Sequence, residues 1–330
     1  MTVRNLITDI AGIKVGHAED EKLGSGTTVI LFDSPVVASV DVRGGGPGTR
    51  ETALLDPGQT VEGIDAIVLS GGSAFGLDAA SGAQAWLREK GRGFQIRDIH
   101  VPIVPAAIMF DMLNGGDKDW GRFPPYRDLG YAAIKSAGVS FGLGSVGAGL
   151  GATTATLKGG VGSASAKTKS GVTVGAVVVV NAVGTTTVGD GPHFWAAPFE
   201  QDKEFGGRGF PKTLSASDLA IRAKGGPGEN TTIALIATDA KLSKAQCHRL
   251  AVMAQDGFAR AIYPVHTPLD GDVIFSAATG KKTLADPHYG LAELGMVAGN
   301  VMARAIARGV YEATALPFKG ALPSWKDKFG

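Results

Sequence analysis

The chain has 330 residues, of which 44 % are hydrophobic and 19 % charged, and its 32 Lys+Arg against 31 Asp+Glu leave a net charge of +1. That composition excludes a disordered chain, and so small a charge provides no field to gather phosphates, which excludes a general nucleic-acid binder. The 49 glycines, about twice the usual share, show no three-residue period, so collagen is excluded and many tight turns and close backbone contacts are expected.

The first twelve residues have no basic start followed by a long apolar core, so no signal peptide is expected. Gly26–Asp33 and Val36–Arg43 are β-branched runs divided by Ser34-Pro35 and predict two strands; Ile64–Ser70 predicts a third. Ala74–Lys90, rich in Ala and Leu and closed by Gly91 and Gly93, predicts a helix. Val172–Asn181 predicts a strand buried on both faces, and the apolar run Val174–Val183 is too short to span a bilayer. Gly191–Asn230, with Pro192, Pro198, Pro211 and Pro227, predicts a long surface loop or linker. Thr231–Thr238 predicts another buried strand, Ser243 the N-cap of a helix running to about Ile262, and Leu291–Glu312 a last helix. Strands and helices mix throughout, which predicts packed sheets with helices outside rather than a doubly wound nucleotide fold.

Several motifs lack the residues their chemistry requires. Gly44-Gly-Gly-Pro-Gly-Thr-Arg50 has no Gly-Lys-Ser/Thr ending, and Gly159-Gly-Val-Gly-Ser-Ala-Ser-Ala-Lys167 has no Lys-Ser/Thr at phosphate-loop spacing. Gly71-Gly-Ser-Ala-Phe-Gly76 misses the nucleophile elbow by one residue, which leaves Ser73 better explained as a turn residue capping the next helix. The histidines, His17, His100, His193, His248, His266 and His288, form no zinc-type pair, so no metal is expected. Cys247 and His248 point about 100° apart on a helix and form no dyad. Cys247 reads as a buried structural thiol, and as the single cysteine it has no disulfide partner in the chain.

The junction Gly225-Gly-Pro-Gly-Glu-Asn-Thr-Thr-Ile-Ala-Leu-Ile-Ala-Thr-Asp239 runs from a loop straight into a buried strand, with Thr231 at its start. If the bond before Thr231 is cut, the freed α-amine lies beside its own hydroxyl. With a reference pKa of about 7.7–8.0 that amine is a base near neutral pH, so nucleophile and base share one residue. Thr is also common at strand starts for plain β-propensity.

The chain resembles the family of L-aminopeptidase/D-esterases and β-peptidyl aminopeptidases, which includes the nylon-oligomer (6-aminohexanoate oligomer) endohydrolases. The resemblance is carried in order by Gly12-Ile-Lys-Val-Gly-His-Ala18, Val40-Asp-Val-Arg-Gly-Gly-Gly-Pro-Gly-Thr-Arg-Glu-Thr52, Leu69-Ser-Gly-Gly-Ser-Ala-Phe-Gly-Leu-Asp-Ala-Ala80, Val179-Val-Asn-Ala-Val-Gly184, Asn230-Thr-Thr-Ile233 and Asp270-Gly-Asp272. It implies one α+β domain over 1–330, a four-layer α-β-β-α sandwich of N-terminal-nucleophile-hydrolase type, cut between Asn230 and Thr231 into fragments 1–230 and 231–330. Thr231 is then the nucleophile, with Thr232 as the rival that faces the other side of the strand. Asn181 becomes the oxyanion donor, and Asp270 and Asp272, 39 and 41 positions after Thr231, a carboxylate pair that orients the amine or shuttles protons. The family's site lysine falls on Lys158 when aligned on Gly159-Gly160, or its place on Thr156 when counted from Gly147-Ala-Gly149. Phe110 stands where some members carry a tyrosine, so an apolar wall against the substrate is expected there.

The implied activity is amide hydrolysis of short peptides, including β- or D-amino acid amides, or endo-cleavage of 6-aminohexanoate oligomers. Acyl transfer to an amine, as in the similar ornithine acetyltransferases, and an inactive binding scaffold are the readings of other classes. No cofactor, metal, nucleic-acid or membrane partner is expected; a cytoplasmic homotetramer of processed two-fragment units is.

Overall fold

The computed structural model describes residues 3–225 and 230–330, so the Gly226–Glu229 part of the junction, with Pro227, lies outside the described residues. The first half supplies β1 (Ile13–Asp20), β2 (Ser25–Val42), β3 (Thr49–Arg50), β4 (Gly63–Ser70), α1 (Ala79–Glu89), β5 (Phe94–Ile96), β6 (Ile99–Val101), β7 (Ala106–Ile108) and α2 (Tyr126–Lys135). The second supplies β8 (Val161–Lys167), β9 (Thr173–Asn181), β10 (Thr231–Ala240), α3 (Lys244–Ala261), β11 (Val273–Lys282), α4 (Tyr289–Tyr311) and α5 (Trp325–Phe329).

One hydrogen-bonded path runs β3-β7-β4-β2-β11-β10-β9-β8, with β1 also on β2. The long β2 is shared by the two packed layers into which this one nine-stranded sheet divides, hereafter the two sheets. Its first half pairs with β1 and β4, and Val37–Val42 pair with β11. The alternation of side chains along each strand sorts residues into three cores. Val29 and Leu31 pack with Ala80, Ala83, Tyr126 and Ala133 of α1 and α2. Ile30 and Phe32 pack with Val177, Val179, Ile233 and Leu235 across the space between the sheets. Val178, Val180, Ala234 and Ile236 pack with Leu250, Phe258, Val301 and Met302 of α3 and α4. The layers are therefore α-β-β-α, as expected.

The close packing of α1 on α2 accounts for two glycines. A Cβ on Gly82 would lie 1.8 Å from the Arg127 carbonyl oxygen, and one on Gly130 2.0 Å from that of Ala79.

Some local expectations are corrected. The two strands around Ser34-Pro35 are one, because Asp33–Pro35 form an exposed irregularity in register rather than an end. The helix expected from Ala74 begins at Ala79. Gly72 and Ser73 both have positive φ, and this turn leads into a tight 3-10 segment, Ser73–Asp78, in which Ser73 caps nothing. Ser243 does cap α3, accepting from the Gln246 N–H in a reciprocal capping box. Gly159–Lys167 is no loop motif, since most of it is β8. Gly191–Gly225 is irregular but anchored: Phe194 and Phe205 are buried, and Phe194 stacks on Trp325.

Candidate active site

The chemistry expected from the junction gathers at one end of the second sheet, where β10 and β11 begin and β9 ends. Thr231 is the register partner of Asn181 in the antiparallel β9–β10 ladder, so the two side chains stand on one face. Parity with Ile233 and Val179 makes this the face between the sheets. Thr232 pairs with Val180, whose side chain faces α3 and α4; its hydroxyl is buried and meets no partner among the described residues. Of the two threonines, Thr231 alone shares a face with Asn181.

Asn230 bridges in parallel to Asp270. Its carbonyl oxygen accepts the Gly271 N–H at 3.0 Å and the Thr231 hydroxyl. The carbonyl before Thr231 thus has a polarising amide donor and a hydroxyl against it. Gly271 leaves room for this, since a Cβ there would lie 2.7 Å from Thr231 Oγ1.

Both carboxylates are buried and held. Asp270 Oδ2 accepts the Thr267 N–H (2.8 Å) and hydroxyl (2.9 Å). Asp272 Oδ1 accepts the Thr232 N–H (2.8 Å), and Oδ2 accepts the His266 N–H (3.2 Å) and faces His266 Nδ1 (2.8 Å). Burial first, and then the Asp272 charge, push the Asp270 carboxyl above the usual carboxylate range. The glycine run after β2 lies against this turn: Arg43 N–H donates to the Asp272 carbonyl (3.0 Å) and Gly46 N–H to that of Asp270 (2.7 Å).

Asn181 is fixed at both ends of its amide. Nδ2 donates to the Phe110 carbonyl (3.0 Å), while Oδ1 accepts the Thr153 N–H (3.0 Å) and the Lys224 ammonium (2.9 Å). Lys158 is buried, and its ammonium donates to the carbonyls of Gly149, Ala152 and Gly159, each at 2.8 Å. Burial pushes its pKa down to about 7. These bonds shape the loop that presents Thr153 to Asn181. Thr156, the rival position, sits in a turn of the same loop, its N–H bonded to Thr154 Oγ1.

A cavity of about 280 Å³ adjoins this loop, lined by Phe110, Asp111, Leu113, Lys158, Lys224 and Leu316 among others. Phe110 forms part of its wall. The Asp111 carboxyl is pushed up by burial and accepts from the Ser25 hydroxyl and the Gly72 N–H.

The structure thus brings Thr231, Asn230, Asn181, Asp270 and Asp272 together, and sets Lys158 and Phe110 behind Asn181. Sequence reasoning missed Lys224, His266 and Gly271. His266 lies four residues before Asp270, a spacing that signals a contact with the carboxylate pair only once the turn between them is known; nothing local marks Lys224. Cys247 is buried in α3 with its thiol pushed up to about 12 by burial, and His248 turns to the Val40 carbonyl instead. Among the described residues no helix is long and apolar enough to cross a membrane.

Residues 5–321 match peptidase family S58. An uncharacterised aminopeptidase of Mycobacterium tuberculosis is 43 % identical over 347 residues, covering 98 % of this chain and 98 % of the relative. A 6-aminohexanoate-oligomer endohydrolase of a Kocuria species is 29 % identical over 281 residues, covering 82 % of this chain and 74 % of the relative. The solved L-aminopeptidase D-Ala-esterase/amidase of Ochrobactrum anthropi, described as a variant of the N-terminal-nucleophile hydrolase fold, superposes with a TM-score of 0.72 over 98 % of this chain and 91 % of that one, at 21 % identity. This chain has the same fold.

Proposed function

From its membership of peptidase family S58, to which this chain belongs, we propose that this hydrolase of peptide or amide bonds works as a self-processed N-terminal-threonine enzyme. The observation that carries the reading is the placement of the Thr231 hydroxyl against the Asn230 carbonyl, which also accepts the Gly271 N–H, directly opposite Asn181.

In processing, Thr231 Oγ1 bonds to the Asn230 carbonyl carbon, the Asn230–Thr231 C–N bond breaks, and the proton lost by the hydroxyl ends on the freed nitrogen. Water then hydrolyses the ester, leaving fragments 1–230 and 231–330. In turnover the freed amine accepts the Thr231 hydroxyl proton as Oγ1 attacks the substrate carbonyl. Asn181 Nδ2 stabilises the oxyanion, the protonated amine passes its proton to the leaving amine as the substrate C–N bond breaks, and water then hydrolyses the Thr231 ester to release the acid and restore the hydroxyl. Asp270 and Asp272 hold the amine in place and exchange protons with it, while Lys158 supports the loop behind Asn181.

The proposed substrates are short peptides with a free N-terminus, including β- or D-amino acid amides. Endo-cleavage of 6-aminohexanoate oligomers is the second reading. It is favoured by Phe110, Leu113, Leu316 and Leu322 along the cavity, which suit a methylene chain. A cytoplasmic homotetramer of two-fragment units completes the proposal; the exposed Phe94, Ile96, Ile99 and Val101 of the β5–β6 hairpin offer apolar surface for such contacts.

A denaturing gel with N-terminal sequencing tests it. The 33.7 kDa chain is expected to yield fragments of about 23 and about 10 kDa in the ratio of their lengths, the smaller beginning at Thr231. Active protein that begins only at its original N-terminus would sink the proposal.

A further inference from the structure

The carboxamide oxygen of Asn181 accepts from the Thr153 N–H and from the charged Lys224 ammonium. The Lys224 ammonium lies 2.9 Å from Asn181 Oδ1, 3.0 Å from the Thr153 hydroxyl and 3.2 Å from the Thr153 carbonyl oxygen. The Thr153 N–H is the second donor, at 3.0 Å. Lys224 comes from the irregular segment between β9 and β10, yet its backbone is pinned: its N–H donates to the Val183 carbonyl at 2.8 Å, two residues beyond Asn181. It also lines the cavity beside Phe110.

We propose that Lys224 is a positioning residue for amide hydrolysis, its ammonium locking the Asn181 carboxamide in the orientation that offers Nδ2 to the developing oxyanion. The assignment rests on Asn181 being the oxyanion donor of the proposed function. A flipped carboxamide sets its NH2 group against an ammonium and a backbone N–H, two donor–donor contacts, so the flip is closed while Lys224 is present. Without Lys224 the flip still meets the Thr153 N–H and sets Oδ1 against the Phe110 carbonyl, so Lys224 supplies the charged part of the lock. A charged donor on the amide oxygen also draws electron density from the N–H side and strengthens it as a donor. Lys158 cannot substitute, because its ammonium is spent on three backbone carbonyls. Lys224 and its anchor Val183 both belong to fragment 1–230, so the proposed cut does not separate them.

The test compares wild type, Lys224→Met and Lys224→Arg as matured full-length products, with kcat and KM measured on an alanine p-nitroanilide and melting temperatures recorded. Lys224→Met is expected to lower kcat about 10- to 100-fold, under the roughly 10²–10³-fold loss of an oxyanion donor itself, with KM within about twofold and an unchanged melting temperature; Lys224→Arg recovers most of the loss. An unchanged kcat overturns the assignment, as does an equal fall in both variants accompanied by a lower melting temperature. If Lys224→Met does not mature, Lys224→Gln replaces it: an intermediate kcat supports the charged contact, and wild-type kcat rejects it. Hydrolysis by Thr231→Ala at the wild-type rate defeats the underlying site reading instead, a result that no Lys224 variant produces.

Discussion

Thr231 and Asn181 stand directly opposite each other in the β9–β10 ladder, on the face between the two sheets. A one-residue slip in that register would turn one of them toward α3 and α4. The proposed nucleophile and oxyanion donor are therefore set face to face by strand pairing, and substitutions on the two faces of β10 are expected to have opposite consequences.

Thr232→Val tests that division. The Thr232 hydroxyl is buried without a partner among the described residues, so replacing it with a methyl group removes an unpaired polar atom. The variant is expected to mature and to keep its kcat within about twofold, and to gain about 1 kcal/mol of stability. Calorimetry and the processing gel check both. Thr231→Ala is expected to stay a single inactive chain.

Asn181→Ala removes the proposed donor and the acceptor that Lys224 and Thr153 share. Loss of one oxyanion donor costs about 2.7–4 kcal/mol of barrier. The expected result is a fall in kcat of about 10²–10³-fold, larger than any change in KM, read by steady-state kinetics on the cleaved enzyme.

The carboxylate pair predicts the acid side of the pH profile. Asp270 is raised by burial and by the Asp272 charge, so activity that needs its ionised form falls away at a pH above the usual carboxylate range as the solution is acidified. Asp272→Asn removes the neighbouring charge. The acid limb of its residual activity should move to lower pH, and a limb that stays in place would show that Asp270 is not the group titrating.

Lys158 makes a prediction about stability. Its folded pKa of about 7 lies below the ordinary lysine value, so between about pH 7 and 10.5 the unfolded chain binds more protons and stability rises with pH. The cost of burying the charge is felt fully below pH 7 and is relieved across that window. Lys158→Met abolishes this upward slope. It also strands the Gly149, Ala152 and Gly159 carbonyls, at about 1–3 kcal/mol for each acceptor left unsatisfied. Its melting temperature should lie below wild type, with the gap widening from pH 7 to 10.

How far the chain could be read follows the range of the interactions. Strands β9 and β10 were legible because a run of buried β-branched residues is a local signal, and α3 because Ser243 and Gln246 form its cap within one turn. The α1 start was misread because the Gly72–Ser73 turn closes into a 3-10 segment against the Met109 carbonyl, a contact across 36 positions. Thr231, Asn181 and the Asp270–Asp272 pair are proposed as site residues through the family resemblance, and strand register and the Asn230–Asp270 bridge bring them to one end of the sheet.

The amino-acid order by itself determined the junction's local character: a threonine opening a buried strand after a glycine-rich run, where a hydroxyl and a prospective amine would share one residue; the resemblance, not the spacing, singled it out as the proposed nucleophile. Only the tertiary structure decided what surrounds it. Lys224 reaches Asn181 across 43 positions, and Thr232 reaches Asp272 across 40, because strand register and the closure of long loops set these meetings. Neither leaves a periodic or spaced trace along the chain, since the free energy that selects them comes from burial and hydrogen-bond satisfaction summed over whole sheets.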